Sequence, residues 1–540
     1  MFRKRWLAAA AGLVILLSIP LARILRYTPD VRPGDGQAGV MHVHSVESDG
    51  GGDFDEIARK AAEAGLDFVV VTDHGNPSRP TRKPPAKPVL IIGSELSTDA
   101  GHLLALAYGN PTYNFPPDPA EAAADVESLG GFVVLSHPFN DRIPWRQWPF
   151  PLSTGMEVLN GDSEWREVGW WKLAVTLPSY WLNPAYFHLR LMHYPRQALE
   201  AFDREAADRV FYLFAGLDAH ANLRVGRKRS LRFPDYLPLF RTLVLRMRPD
   251  VSGDKDAIMD ALRHGRFYVS IDGLASGAGF RFDAQSGTGR YGMGDVVPDP
   301  PVELEASADE GSMLRIRRNG AVVAAGITQL RYQAADPGAY RVEVRRPLGS
   351  HPFDPEIPWI LSNPIFVGSK YAQQRPPRPA AAPPPAGVAF ETSRFNVERD
   401  SSSACEYDGS RLHFRLGSGA SAQSWPVVAL CWRTPPPLEP GDRFLVRLRS
   451  DRTYRLWFQA HVGTKIYRTS LKASSISDTR VVDLDRLSPT PEAAGTAFDP
   501  HRVTGIFFVL DRQCVPLGTE GDIWMESFAL AERQGPAVAR

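Results

Sequence analysis

Histidines and carboxylates recur at short spacings through the first 220 residues in sets suited to holding divalent metal ions. His42 and His44 stand at i and i+2, so on an extended strand both imidazoles project to one face and can reach one ion. Asp49 follows in Ser48-Asp49-Gly50, on a loop able to fold back over that ion. Asp73-His74 closes the apolar run Phe68 to Val71, Glu95 follows Val89 to Ile92, and His102 comes after a short turn. His137 ends Phe132 to Leu135, and Asp218-Ala219-His220 repeats the i, i+2 arrangement after Phe211 to Gly216. A lone histidine near a strand end is more often hydrogen-bonded structure than a ligand. Here the sets share one location, the C-terminal ends of apolar strands, where barrel active sites are built. So dense a polar cluster is costly to bury unless ions neutralise and order it.

The elements that must position these residues are read from periodicity. From about residue 39 to 272, short β-rich apolar runs alternate with helical stretches, which predicts a parallel α/β architecture, either a barrel or a doubly wound sheet. Asp53 can cap a helix that Gly65 closes, and Asp118-Pro119 opens another that Gly130 closes. The stretch 164–206 is less regular and rich in aromatics, among them Trp165, Trp170, Trp171, Tyr180, Trp181, Tyr186 and Phe187. Packing is the commonest role for aromatics, so a core insertion is the first expectation and a lid or membrane-touching flap the second.

After Gly273 strands and turns alternate, and Asn319-Gly320 between apolar runs predicts a hairpin. Residues 274–370 are expected to form an immunoglobulin-like β-sandwich, 371–388 a stiff Pro/Ala-rich linker, and 389–535 a second β-sandwich. In that last region Trp425, Trp432 and Trp457 are expected mainly in the core, with glycan contact through exposed aromatics as the lesser reading. Cys405, Cys431 and Cys514 include no CxxC pair and are not the metal site; in an exported protein two of them could pair.

A chain of 540 residues implies several domains. Its 62 Lys and Arg balance 61 Asp and Glu, so it lacks the broad positive field of a nucleic-acid-coating protein, and no nucleic-acid partner is expected. Arg3, Lys4 and Arg5 precede an almost purely apolar run from Trp6 to Ala22, followed by Arg23 and Arg26. Residues 1–28 therefore read as a signal anchor or signal peptide, and the lack of a small-x-small cleavage site favours the anchor. The body of the chain is then expected outside the cytoplasm, in a periplasmic setting, held to the membrane by this helix.

Met41-His42-Val43-His44-Ser45 with Ser48-Asp49-Gly50, Thr72-Asp73-His74, Gly93-Ser94-Glu95, Ser136-His137-Pro138 and Asp218-Ala219-His220 resemble, in order, the motifs of the polymerase-and-histidinol-phosphatase (PHP) superfamily. The segment Pro358-Trp359-Ile360-Leu361-Ser362-Asn363-Pro364-Ile365 resembles the exported, CehA/McbA-like kind. The resemblance implies a distorted (β/α)7 barrel with two or three divalent ions, ahead of the two β-sandwich domains read from the alternation; ligands of these types suit zinc, manganese and iron alike. Carried over, His42, His44, Glu95 and Asp218 would hold one ion. Glu95 would bridge to a second with His137 and His102, and Asp49, His74 and His220 would hold a third. His102 follows Glu95 more closely than the ligand does in some members, and substrate contact is its alternative role.

Ions about 3.5–4 Å apart lower the pKa of a bridging water toward neutrality, which makes hydroxide the expected nucleophile. Phosphomonoester or phosphodiester hydrolysis is the leading expectation. Hydrolysis of an ester, amide or carbamate is its rival, and an envelope glycan-binding protein with a vestigial metal site is a third reading. Asp73 is expected to orient a ligand histidine, and Asp218 or His220 to carry a proton to the leaving group. Arg142 and Arg227, the latter within the basic run Arg224 to Arg229, are candidate clamps for an anionic substrate, with a solvated surface equally weighted.

Overall fold

The computed structural model describes residues 24–25, 27, 34 and 36–531, apart from 76–86, 110–113, 226–228, 288, 349–352, 373–386, 419–424, 476, 491–492 and 494. The apolar run 6–22, most of the Pro/Ala-rich linker and Arg227 lie outside the described residues. No helix among those described is long and apolar enough to cross a membrane. The chain divides into two compact units, residues 1–109 with 117–376, and 110–116 with 377–540.

The first unit begins with β1 (Ala38–Val43), α1 (Phe54–Glu63), β2 (Phe68–Val71), β3 (Val89–Ile92), β4 (Ser94–Thr98), β5 (Gly101–Leu106), α2 (Pro119–Ser128), β6 (Phe132–Leu135) and β7 (Gly155–Asn160). Five helices follow, α3 (Gly161–Arg166), α4 (Trp170–Thr176), α5 (Pro178–Leu182), α6 (Pro184–Leu191) and α7 (Arg196–Asp208). Then come β8 (Tyr212–Gly216), the hairpin β9 (Leu223–Val225) and β10 (Arg229–Leu231), α8 (Tyr236–Phe240), β11 (Val244–Met247), α9 (Lys255–Arg263) and β12 (Phe267–Ser270). The caps behave as their sequence predicts: Asp53 accepts from the Glu56 N–H and Asp118 from the Glu121 N–H, each at 2.8 Å.

These strands form two curled arcs, β3-β2-β1-β11-β12 and β4-β5-β6-β7-β8. Pairing is parallel for β1-β2-β3 and β6-β7-β8 and antiparallel for β4-β5-β6 and β1-β11-β12. The sheet is therefore mixed rather than wholly parallel. Only Asp99 and Ala100 separate β4 from β5, too few residues for the crossover that parallel strands require, and Gly101 takes the turn at φ 132°. The arcs meet where the chemistry lies. The Leu217 N–H donates to the Met41 carbonyl at 2.9 Å and the His44 N–H to the Ala219 carbonyl at 3.0 Å, while the Glu95 N–H reaches the Asp73 carbonyl at 3.0 Å.

Beyond β12 the first arc continues through Ile360–Ser362, Gly338–Arg345 and Met313–Arg318 into the strands of residues 281–367, antiparallel except where Val296–Val297 pairs parallel with Ile365–Val367. Asn319 and Gly320, at φ 48° and 87°, turn the predicted hairpin. The segment 358–365 ties these strands to the site. Buried Trp359 donates through its indole N–H to the Ala275 carbonyl at 2.7 Å. The Asn363 amide accepts from the Leu213 N–H at 2.7 Å and donates to the Leu213 and Phe267 carbonyls at 3.1 Å, fixing β8 against β12.

The aromatic stretch meets the core expectation only in part. Trp165, Tyr180, Phe187 and Leu191 form a buried cluster, whereas Trp170, Trp171 and Trp181 lie on the surface. The second unit carries two six-stranded antiparallel sheets over one core that includes Trp432, Trp457, Phe444 and Phe528. Trp425 is half exposed beneath the Arg512 guanidinium. The three cysteines are free thiols, Cys431 and Cys514 buried.

Candidate metal centre

His42, one residue before the end of β1, is in a left-handed conformation, φ 63°, where the register against β2 slips by one residue. This bulge, rather than simple strand alternation, turns both His42 and His44 inward. His137 and Asp218 also have positive φ, 28° and 52°. Non-glycine residues held there cost about 1–3 kcal/mol each, strain that surrounding structure must offset. Gly216, at the end of β8, has no side chain because a Cβ would run into the Glu157 carboxylate.

Three overlapping groups result: His42, His44, Glu95 and Asp218; Glu95, His102 and His137; and His44, Asp49, His74 and His220. Every residue expected to bind metal falls in at least one of them. Glu95 is central. Its Oε2 lies 3.3 Å from the Nε2 of His42 and of His44 and 3.4 Å from the His74 Nδ1. Its Oε1 lies 2.8 Å from the His102 Nδ1 and 3.0 Å from the His137 Nε2. Asp218 Oδ1 faces the same two Nε2 atoms at 3.4 and 3.2 Å. Asp49 joins His220 at 3.3 Å and His74 at 3.8 Å on the outer side.

Electrostatics concentrate charge here. Burial alone would lower the His42 pKa, but Glu157, Asp218 and Glu95 outweigh it and hold the ring well above the ordinary value. Burial lowers and Glu95 raises His137, with the net result about 9; burial lowers and Asp49 and Asp218 raise His220, also to about 9. Burial would raise Glu95 and Asp218, yet the surrounding imidazoles hold both well below the carboxylate range. The histidine nitrogens His42 Nε2, His44 Nε2 and His74 Nδ1 are buried without a hydrogen-bond partner. Buried polar atoms normally find one. Orphaned imidazole nitrogens converging on two carboxylates are the donor set of a divalent cation, so the residues fit the ions that the sequence implies.

Two residues that the sequence reading missed complete the site. Glu157, on β7, accepts from the His42 Nδ1–H at 2.8 Å through Oε1, and through Oε2 from the His137 N–H at 2.9 Å and the Asn160 amide at 3.1 Å. Its signal was a carboxylate inside an otherwise apolar strand, Gly155–Asn160. Asp162, raised by burial and then by Asp218, is held by Arg166 and the Trp165 indole. Asp73 grips a turn rather than an imidazole: it accepts from the Ser45 N–H, the Ser45 hydroxyl and the Ser48 hydroxyl. Ser48 in turn lies 3.4 Å from the His44 Nδ1.

A cavity of about 300 Å³ opens beside His137, lined by Asn140, Ser163, Glu164 and Glu167 among others. Arg142 is exposed on the following loop and does not line it. Arg227 is outside the described residues.

No family model matches the chain, and no curated protein matches it. Among solved structures it is similar to a two-domain protein from Bacteroides vulgatus containing a predicted PHP-like metal-dependent phosphoesterase, at 15% identity and TM-score 0.29, over 63% of this chain and 98% of that one. It is also similar to a family 11 carbohydrate-binding module from Clostridium thermocellum, at 8% identity and TM-score 0.22, over 27% of this chain and 97% of that one. A family 29 module from Piromyces equi matches at 12% identity and TM-score 0.17, over 27% and 87%. Likenesses this distant carry no argument about activity.

Proposed function

We propose that the chain is a PHP-type metal-dependent hydrolase of phosphate esters, of the exported kind, its site built on a distorted (β/α)7 barrel. The observation that carries this reading is the set of three overlapping histidine–carboxylate groups, two sharing Glu95 and the third joined through His44, with buried imidazole nitrogens lacking a hydrogen-bond partner. Divalent ions bound there supply a water-derived nucleophile near neutral pH and neutralise charge on the substrate's oxygens.

The chain's own residues do the rest. Glu157 holds the proton on the His42 Nδ1 and so leaves Nε2 free as a donor atom. Ser48 and Asp49 face the His44 Nδ1 in the same manner, at 3.4 and 3.5 Å. Asp218, kept well below the carboxylate range, holds no proton to give. His220 is raised to about 9 by Asp49 and Asp218 in the metal-free chain, and holding an ion through Nε2 would require it to give up that proton. Glu164 and Glu167 line the adjoining cavity with Arg196 as its one arginine, so its wall is not positive overall and the ions would carry most of the recognition of an anionic substrate.

The test is the metal content of the purified chain by elemental analysis, with hydrolysis of an aryl phosphate, a phosphodiester and a carboxyl ester, and Glu95→Gln as control. Two or three ions per chain and phosphoesterase activity abolished in E95Q are expected. Activity confined to the carboxyl ester would move the assignment to the ester, amide and carbamate hydrolases. Absence of tightly held metal and of all activity would overturn the enzyme reading.

A further inference from the structure

Helices α4 and α5 run almost without interruption through residues 170–182, Leu177 ending one and opening the next. Their outward side carries Trp170, Trp171, Ala174, Val175, Pro178, Trp181 and Leu182, all exposed. These positions recur at i+3, i+4, i+7 and i+11, so they share one face. A helix on the surface of a globular domain normally turns charge outward on that face. Here Lys172 is the single charged residue between Val168 and Phe187. Trp170, Trp171 and Trp181 are 76, 65 and 71% exposed, far more than tryptophans kept by packing.

A second observation says what covers this face. Asn183, the residue after the ridge, donates through its side-chain amide to the Ile24 carbonyl at 3.0 Å and the Tyr27 carbonyl at 2.6 Å. Tyr27 is fixed further by its hydroxyl on the Gly273 carbonyl at 2.7 Å and by edge contacts with Tyr186 and Phe353. The chain entering this clamp comes directly from the apolar run 6–22, and Leu25, beside the clamp, is itself exposed. The point where the apolar run 6–22, the candidate signal anchor, leads into the folded body is thus the foot of an exposed tryptophan ridge.

We infer that the α4–α5 ridge seats in the interfacial layer of a phospholipid bilayer, with Trp170, Trp171 and Trp181 at headgroup depth. Tryptophan prefers that layer because its ring is apolar and its N–H remains wet. Val175 and Leu182 enter the acyl boundary, while Lys172 lies off this face with its ammonium 2.7 Å from the His193 Nε2, so the ridge itself presents no charge to the bilayer. The ridge orients the body on the membrane, which a single apolar segment would leave free to swivel.

The experiment reconstitutes the full chain carrying Trp6→Phe, which removes the tryptophan of the apolar run, in vesicles of phosphatidylethanolamine and phosphatidylglycerol with brominated acyl chains. Bromine quenches tryptophans that enter the boundary. The expected result is quenching that W170F/W171F/W181F abolishes, with an unchanged melting temperature showing that the fold persists. Quenching that is absent, or that survives the triple substitution, overturns the inference. If it is absent and sedimentation shows a dimer that the triple substitution dissociates, the occupant is a second copy of the chain rather than lipid.

Discussion

Replacing Glu157 by glutamine keeps the size of the side chain and should still cost the site its ions. The two carboxylate oxygens face donors only: Oε1 receives the His42 Nδ1–H, and Oε2 receives the His137 and Asn160 N–H groups. A glutamine has one acceptor oxygen and one amine. With its oxygen toward His137, its amine meets the His42 Nδ1 and forces that nitrogen to accept. The proton then moves to Nε2, the atom that faces Glu95 and Asp218 at 3.3 and 3.4 Å, and blocks it as a ligand. With its oxygen toward His42, its amine points at two buried N–H donors. Either choice loses the loaded geometry. Loss of such a supporting carboxylate costs about 10–100-fold in metal affinity, or roughly 1.4–2.8 kcal/mol. Titration of a fluorescent chelator competitor against the metal-loaded E157Q chain measures the change. Retention of wild-type affinity and stoichiometry would refute the claim that Glu157 sets the His42 tautomer.

Other consequences follow from neighbouring contacts. Gly216→Ala pushes a methyl into the Glu157 carboxylate and should weaken metal retention in the same direction as E157Q, with a lowered melting temperature; unchanged metal content would contradict this. The Tyr236 hydroxyl donates to the His44 carbonyl at 2.7 Å and accepts from the Gly52 N–H at 3.1 Å, so Tyr236→Phe should cost about 1–3 kcal/mol in chemical denaturation. In the metal-free chain, His137 and His220 have pKa values of about 9 in the fold, above the value near 6.5 expected unfolded. Their contribution is therefore fully present below pH 6.5 and lost as pH rises through 9, with a ceiling of about 3 kcal/mol per group. Denaturant midpoints of chelated protein at pH 6 and 9.5 should fall accordingly, and a flat or rising profile would show that these charges do not support the apo fold.

Most of the ligand set was legible because its members stand at or just beyond strand ends, which are read from apolar runs without knowing how the strands pair; Asp49 and His102 were placed by their nearness to such ends. Asp53, Asp118 and Asn319-Gly320 were legible for a similar reason, since caps and turns are local. What escaped depended on distance in the chain. Glu157 meets His42 across 115 residues, and nothing in the local spacing pairs them. Asp73 has the right type and place to orient an imidazole, yet the fold back of residues 45–48 brings serine donors to it first. The mixed sheet was hidden because residues 94–106 carry no long apolar run to mark two further strands, and only their two-residue connection makes β4 and β5 a hairpin. Arg142 lies close to His137 in sequence, but the loop carries it to solvent.

The overlap of the three groups implies that their ions are not held equally. His44 belongs to two groups through opposite nitrogens, and a neutral imidazole has one free lone pair. Its Nε2 is buried and without a hydrogen bond, facing Glu95 and Asp218, whereas its Nδ1 faces Ser48 and Asp49. The inner group therefore keeps His44, and the outer group is left with Asp49, His74 and His220. Two carboxylates balance a divalent charge in the inner group, but Asp49 alone serves the outer one. The outer side chains are also more open, Asp49 at 41% and His74 at 33% against 1% for Glu95. An ion there is both less neutralised and closer to water, so it should leave first. Stepwise chelation followed by elemental analysis should remove one ion per chain well before the rest. Asp49→Asn should abolish that first step alone, leaving the content of the inner groups intact. Simultaneous loss of all ions in the wild-type chain, or loss of inner metal in D49N, would show instead that the three groups load as one unit.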